Sequence, residues 1–161
     1  MNKNSILTVS AVIAIVIGVG AIGTGIFGMS YTYSKAVEEK ITTPGDAAIP
    51  DTPVRGPFTM LAQADVIRKH TYSATDGQVY SEMPRFIESL DDEGNPVLDE
   101  NGDPVMVPNK ARDIWITSTS LQTVLQFGAL AYALSAFALL YGLTSIATGV
   151  VFLSLRSKGD A

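Results

Sequence analysis

A mainly α-helical membrane fold, with two transmembrane helices forming a hairpin around an acidic extracytoplasmic segment, is predicted by three observations. Two long stretches carry no charge: Ile6 to Met29, and Ile114 to Leu155 between Asp113 and Arg156. A span needs about 20 predominantly apolar residues to cross roughly 30 Å of hydrocarbon, so either stretch suffices. Charge is segregated, with 15 acidic and 8 basic residues from Tyr31 to Asp113 and only Lys3, Arg156, Lys158 and Asp160 outside it. Finally, the hydrophobic residues, 47% of the 161, are concentrated in these two blocks, which leaves little for a water-soluble core.

Taken in order, residues 1–5 form a short polar tip and residues 6–29 the first span. Ser34-Lys35-Ala36 has the small-x-small form of a cleavage site. The apolar run, however, exceeds the roughly 7 to 15 residues of a signal-peptide core, so a retained anchor is expected over a cleaved leader. Residues 30–123 are the extracytoplasmic segment. Ile114 to Thr123 is too rich in Ser, Thr and Gln for lipid, so the second span is placed at 124–155 and Trp115 in the interfacial or aqueous zone. Residues 156–161 are a basic tail. Lys35, Lys40, Lys110 and Arg112 nearly balance the positive-inside count. A short tip and tail are nevertheless simpler to leave in the cytoplasm than a long acidic middle, so both termini are expected on the cytoplasmic side of the plasma membrane.

Small residues recur along both spans. Ser10, Ala14, Gly18, Ala21, Gly25 and Gly28 follow one another at about one helical turn, as do Ala131, Ser135, Ala138, Gly142, Ser145 and Gly149. Such stripes let helix backbones approach closely in lipid. The expected helix-packing residues are Ala14, Gly18, Ala21 and Gly25 against Ala131, Ser135, Ala138 and Gly142. The alternatives are a stripe that receives another protein's helix, or small residues with no packing role.

In the exported segment, Tyr31 to Lys40 is expected to continue the first helix, and the prolines of Ile41 to Pro57 to block regular structure. A short helix from Met60 to about Tyr72 is then predicted, with Thr59 as its cap, an Asp65–Lys69 pair on its surface and Asp76-Gly77 as its stop. Met60, Leu61, Ala64 and Ile67 give it a modest apolar face that needs something to lie against, and Phe58, Gln63, Ile67 and His70 are the expected partner contacts. Further on, Gly94-Asn95-Pro96-Val97-Leu98 is echoed by Gly102-Asp103-Pro104-Val105-Met106, which predicts a small β-hairpin around Asp99 to Gly102. Asp99, Asn101 and Asp103 alternate as calcium ligands do. An EF-hand loop would want Gly and Glu where Pro104 and Lys110 stand, so a solvated hairpin tip is expected.

No catalytic constellation can be assembled from these residues. There is no Cys, and His70 is the single His, so neither a histidine metal cluster nor a Ser-His-Asp triad has the necessary members. Near a helix C-terminus, His70 reads as a structural residue favoured by the helix dipole. The acidic middle argues against nucleic acid, the charge-free spans against an ion pathway, and the Gly-rich first span lacks the βαβ context of a nucleotide fingerprint. The chain is therefore expected not to be an enzyme and to need no cofactor.

Two stretches carry a resemblance. Gly56 to His70 with Ala74-Thr75-Asp76-Gly77 and Val79-Tyr80-Ser81-Glu82, and Ala111 to Leu121 leading into the second span, resemble a family of small two-span actinobacterial membrane proteins. The family's recurrent features are the helix ending in His70, a Thr-x-Gly turn followed by Tyr80, and the Arg112-Asp113-x-Trp115 approach to the second span. Asp76 stands where that pattern has a second Gly, and the acidic hairpin from Leu90 to Lys110 is an insertion relative to it. Members often carry the label of a small subunit of an aromatic ring-opening dioxygenase. That chemistry needs iron, which a lone His on an exported segment cannot hold. The resemblance implies location and lineage. With it comes the expectation of a non-enzymatic accessory subunit among other integral membrane subunits and lipids, most concretely in an actinobacterial respiratory supercomplex of cytochrome bc and aa3 components. The alternative expectation is a free-standing envelope protein that binds a ligand or senses the cell wall.

Overall fold

Both charge-free stretches are helical, and both helices outrun them. The computed structural model describes residues 3–158. In chain order it holds α1 (Lys3–Glu38), α2 (Pro57–Ala74), β1 (Phe86–Glu88), β2 (Met106–Pro108) and α3 (Lys110–Lys158). The ends of the expected tip and tail, residues 1–2 and 159–161, lie outside the described residues. α1 and α3 are each long and apolar enough to cross a membrane. Ser, Thr and Gln are disfavoured in lipid but tolerated in a helix, so α3 begins at Lys110, before the stretch placed as the second span.

α1 and α3 pack antiparallel along a seam of small residues. Ala11 meets Gly149, Gly18 meets Gly142 and Gly25 meets Ser135, so seven residues on one helix match seven on the other. A heptad spacing keeps one face turned to its partner when the helices wrap with a slight left-handed twist. The approach is backbone to backbone: a Cβ placed on Gly142 would lie 2.6 Å from the Gly18 carbonyl oxygen and 2.7 Å from Ile22 Cγ1. A Cβ on Gly25 would lie 2.7 Å from the Ser135 carbonyl oxygen, and one on Gly28 would collide with Ser135 Oγ. Ala14, Ala21, Ala131 and Ala138 flank this seam half-buried, and the Ser145 hydroxyl donates to the Ala14 carbonyl at 2.8 Å.

Beyond the seam, α2 lies against the amino-terminal half of α3. Val54, Met60, Ala64, Leu125 and Ala129 form a small buried core, to which Ala36, Ile41, Ile67 and Tyr132 contribute. The helix starts earlier than the apolar pattern suggests. Gly56 is its N-cap and Pro57 occupies the first turn, where a missing N–H costs nothing. Thr59 sits inside the first turn rather than at the cap, and its Oγ1 accepts from the Arg55 and Gly56 amides at 3.1 and 3.2 Å. Leu61 points outward, whereas Ala62 and Val66 are buried, so the covered face of α2 is wider than the expected stripe. Asp76 and Gly77 both have positive φ just past the end of α2, and the Gly77 amide closes back on the Tyr72 carbonyl at 2.8 Å. A left-handed residue explains why Gly suits position 76 and why Asp, one of the better-tolerated alternatives, stands there.

The proline-rich linker holds no helix, yet it is ordered by the Thr42–Pro53 bridge, by backbone bonds such as that from the Val54 amide to the Ile41 carbonyl at 2.9 Å, and by one buried side chain. Thr43, only 1% exposed, accepts from the Thr52 amide at 3.0 Å and donates to the Ile49 carbonyl at 2.5 Å. The distal ribbon differs from a single hairpin. β1 pairs antiparallel with β2, Phe86 opposite Pro108, and the expected pairing of the two echoed units survives as the Leu98–Pro104 bridge beside a second bridge, Leu90–Pro96. Each eight-residue unit closes its own loop. Asp91 Oδ1 accepts from the Glu93 and Asn95 amides, Asp99 Oδ1 from the Asn101 and Asp103 amides, and Gly94 and Gly102 supply the positive φ of each turn. Ser89, Val97 and Val105 then hydrogen-bond in a closed ring: 89 donates to 105, 105 to 97 and 97 to 89, at 2.7 to 2.8 Å.

Candidate functional site

The surface that could meet another molecule is built on α2, the ribbon and the start of α3. The four residues expected as partner contacts do not share one face. Phe58 is 76% exposed, whereas Ile67 packs on the buried core and Gln63 is half-buried, its Oε1 without a hydrogen-bond partner among the described residues. His70 faces the linker, with Nε2 2.9 Å from Asp46 Oδ2. The same oxygen accepts from Lys69 Nζ at 2.9 Å, so Lys69 pairs across the fold with Asp46 rather than with Asp65 one turn away. Hydrogen bonds from His70 and then Lys69 pull the Asp46 carboxyl down to about 2, even though it is open to solvent.

The residues that carry the family resemblance gather at the far end of α2. Thr75, which is buried, donates to the Gln78 carbonyl at 2.8 Å and shapes the turn. Trp115 meets Tyr72 edge to face at 5.7 Å, with the Arg68 guanidinium over both rings at 5.8 and 5.9 Å. Arg112 stacks on Tyr80 at 3.8 Å and donates to the Met83 carbonyl at 2.6 Å. A cation over an aromatic face at an exposed site contributes about 0.5 to 1 kcal/mol. Asn109, itself buried, caps α3 through the Ala111 amide and donates to the Pro84 carbonyl at 3.0 Å. Beside this cluster is an open cleft of about 610 Å³ between Thr75, Gln78, Ile87, Leu90, Lys110 and Ile114.

Among the described residues no three His, Asp or Glu side chains converge as metal ligands would. The Asp91 and Asp99 carboxyls are held below their ordinary value chiefly by the Asn95 and Asp103 amides, so each is committed to its own loop. The ribbon exposes Phe86, Leu90, Leu98 and Met106. Sequence reasoning missed Arg112 with Tyr80, Asp46 with Lys69 and His70, and the Tyr132 hydroxyl, which donates to the Arg55 carbonyl at 2.7 Å. These pairs lie from 23 to 77 residues apart, and no local pattern signals them. Comparison with protein-family models, with curated proteins and with solved structures matched nothing.

Proposed function

We propose that the chain is a non-enzymatic accessory subunit of a larger plasma-membrane assembly. α1 and α3 form a two-span hairpin in the bilayer, both termini lie in the cytoplasm, and α2 with the ribbon forms an exported cap that rests on a partner subunit. The observation that carries this reading is the rank of exposed apolar side chains on the ribbon, Phe86, Leu90, Leu98 and Met106, on a cap whose own core is only a few residues. Apolar side chains grouped in this way mark interaction surfaces. A short tip and tail, simpler to leave in the cytoplasm than a long acidic segment, favour the stated orientation. On the resemblance alone, the most concrete assembly is the actinobacterial cytochrome bc-aa3 supercomplex.

A second reading, a free-standing envelope protein that binds a ligand, draws on the 610 Å³ cleft at the base of the ribbon. Purification of the tagged native protein in mild detergent, with mass spectrometry and a visible absorption spectrum, separates the two. Haem bands with respiratory subunits at constant stoichiometry are the expected result. A colourless eluate holding this chain alone, unchanged after crosslinking in intact membranes, would overturn the accessory-subunit reading in favour of the second.

A further inference from the structure

The geometry points to a third membrane contact beside the two spans: the turn that opens α2, Arg55 to Leu61, is an interfacial anchor whose Phe58 and Leu61 enter the headgroup–acyl boundary of the bilayer. This inference rests on reading α1 and α3 as spans, and it concerns a segment that charge and hydropathy assign to water.

The depth of the turn is fixed by two contacts on α3. Met60 lies over Gly128, where a Cβ would come within 2.7 Å of Met60 Sδ, and the Tyr132 hydroxyl holds the Arg55 carbonyl at 2.7 Å. The turn therefore sits beside residues 128–132. Continuing the register in which Gly18 meets Gly142 and Gly25 meets Ser135, the residues of α1 at that level are 28–32. There the apolar run ends at Met29, and Tyr31 and Tyr33 follow, with Lys35, the first charge past it, about a turn farther out. Aromatic residues followed by a cation are what a helix presents where it leaves the hydrocarbon. α2 thus begins at the lipid boundary and runs away from it, because its other end, Tyr72, touches Trp115 far up α3.

The outward face of α2 changes character along that direction. Phe58 and Leu61, 76% and 47% exposed, point away from the protein while Met60 between them is 5% exposed and faces in. Asp65 and Arg68 follow on the same face, farther from the boundary. Phe127 and Leu130 of α3 are exposed at the same level. Arg55 is exposed at the end of this turn with no carboxylate within 4 Å among the described residues, placed to meet lipid phosphate. The occupant that fits is a phospholipid surface: one face of the turn is apolar, its depth matches the boundary, and a cation stands at its rim.

The 161-residue chain has no native Cys, so one introduced thiol is unique in it. Bimane attached at Phe58→Cys, and separately at Leu61→Cys with Phe58 retained, would be read in phosphatidylglycerol–phosphatidylethanolamine vesicles. Asp65→Cys serves as the aqueous reference and Phe137→Cys as the span reference. The expected result is several-fold stronger quenching at 58 and 61 by lipid spin-labelled near the headgroup than by iodide on both sides of the membrane. At 65 iodide should dominate, and at 137 lipid spin-labelled deep in the acyl chain. Iodide quenching at 58 and 61 equal to that at 65, with 137 still quenched by lipid, would overturn the anchor and leave the spans intact. Shielding of 58 and 61 from both quenchers would overturn it in favour of a protein contact. Iodide quenching at 137 would remove the span reading and the anchor together.

Discussion

The two halves of α3 are held by opposite means. Along the seam with α1, glycine and serine remove side chains so that backbones touch, and a Cβ on Gly142 would find a carbonyl oxygen 2.6 Å away. Against α2 the helix is held by side chains reaching in: Met60 fills the seat over Gly128, the Tyr132 hydroxyl captures the Arg55 carbonyl, and Trp115 and Tyr72 sandwich contacts with Arg68. Gly128 continues the spacing of Ser135, Gly142 and Gly149, yet its occupant is a flexible thioether rather than a neighbouring backbone. The same residue type at the same spacing thus serves two kinds of joint, one that cannot give and one that can.

The seam side of this contrast breaks most visibly at its centre. Gly142→Leu is expected to force α1 and α3 apart and to cost about 3 kcal/mol or more, since overpacking here meets backbone. Gly23→Leu, where a Cβ has nothing within 4 Å, should leave thermal stability in detergent nearly unchanged. Equal effects from the two variants would dissolve the seam. On the other side, Met60→Ala should lose about 2 to 4 kcal/mol by emptying the seat over Gly128. Gly128→Ala should cost less than about 1 kcal/mol, because Met60 Sδ can swing aside. Thermal melts of both would show whether the joint is as compliant as described. Tyr132→Phe is a smaller perturbation: loss of one hydroxyl bond should cost about 1 kcal/mol and raise amide exchange around Arg55.

The smallest effect concerns the linker. The carboxyl of Asp46 is lowered in the fold by His70 and Lys69, so its tether to α2 is complete above the ordinary value of 3.8 and is lost as pH falls through about 2. Protection of the amides of Ala47 and Thr43 should decline over that window, and Asp46→Asn should abolish the pH dependence while changing overall stability little, as surface pairs do. Protection that stays flat in the unsubstituted chain would show that the loop is ordered without the Asp46 tether.

The long helices were legible because absence of charge is a property of a run, and so were the stop at Asp76-Gly77 and the repetition around Gly94 and Gly102, which are local. The length of α3 was not. Ser, Thr and Gln in Ile114 to Thr123 report on lipid compatibility, which bears on where a span lies and not on where a helix begins. Thr59 was misplaced because the opening of α2 is set by Gly56-Pro57 and the threonine caps backward from inside the turn. The contacts that assemble the cap, Asp46 to Lys69, Arg112 to Tyr80 and Tyr132 to Arg55, are products of the fold and leave no trace at short range.

α3 is a single unbroken helix of 49 residues, about 73 Å long at 1.5 Å per residue. No proline interrupts it. The ribbon is fastened to one end through Asn109 and Arg112, while the rigid glycine joint grips the other half. In mechanical terms the seam clamps one half of the rod, and the other half carries the ribbon.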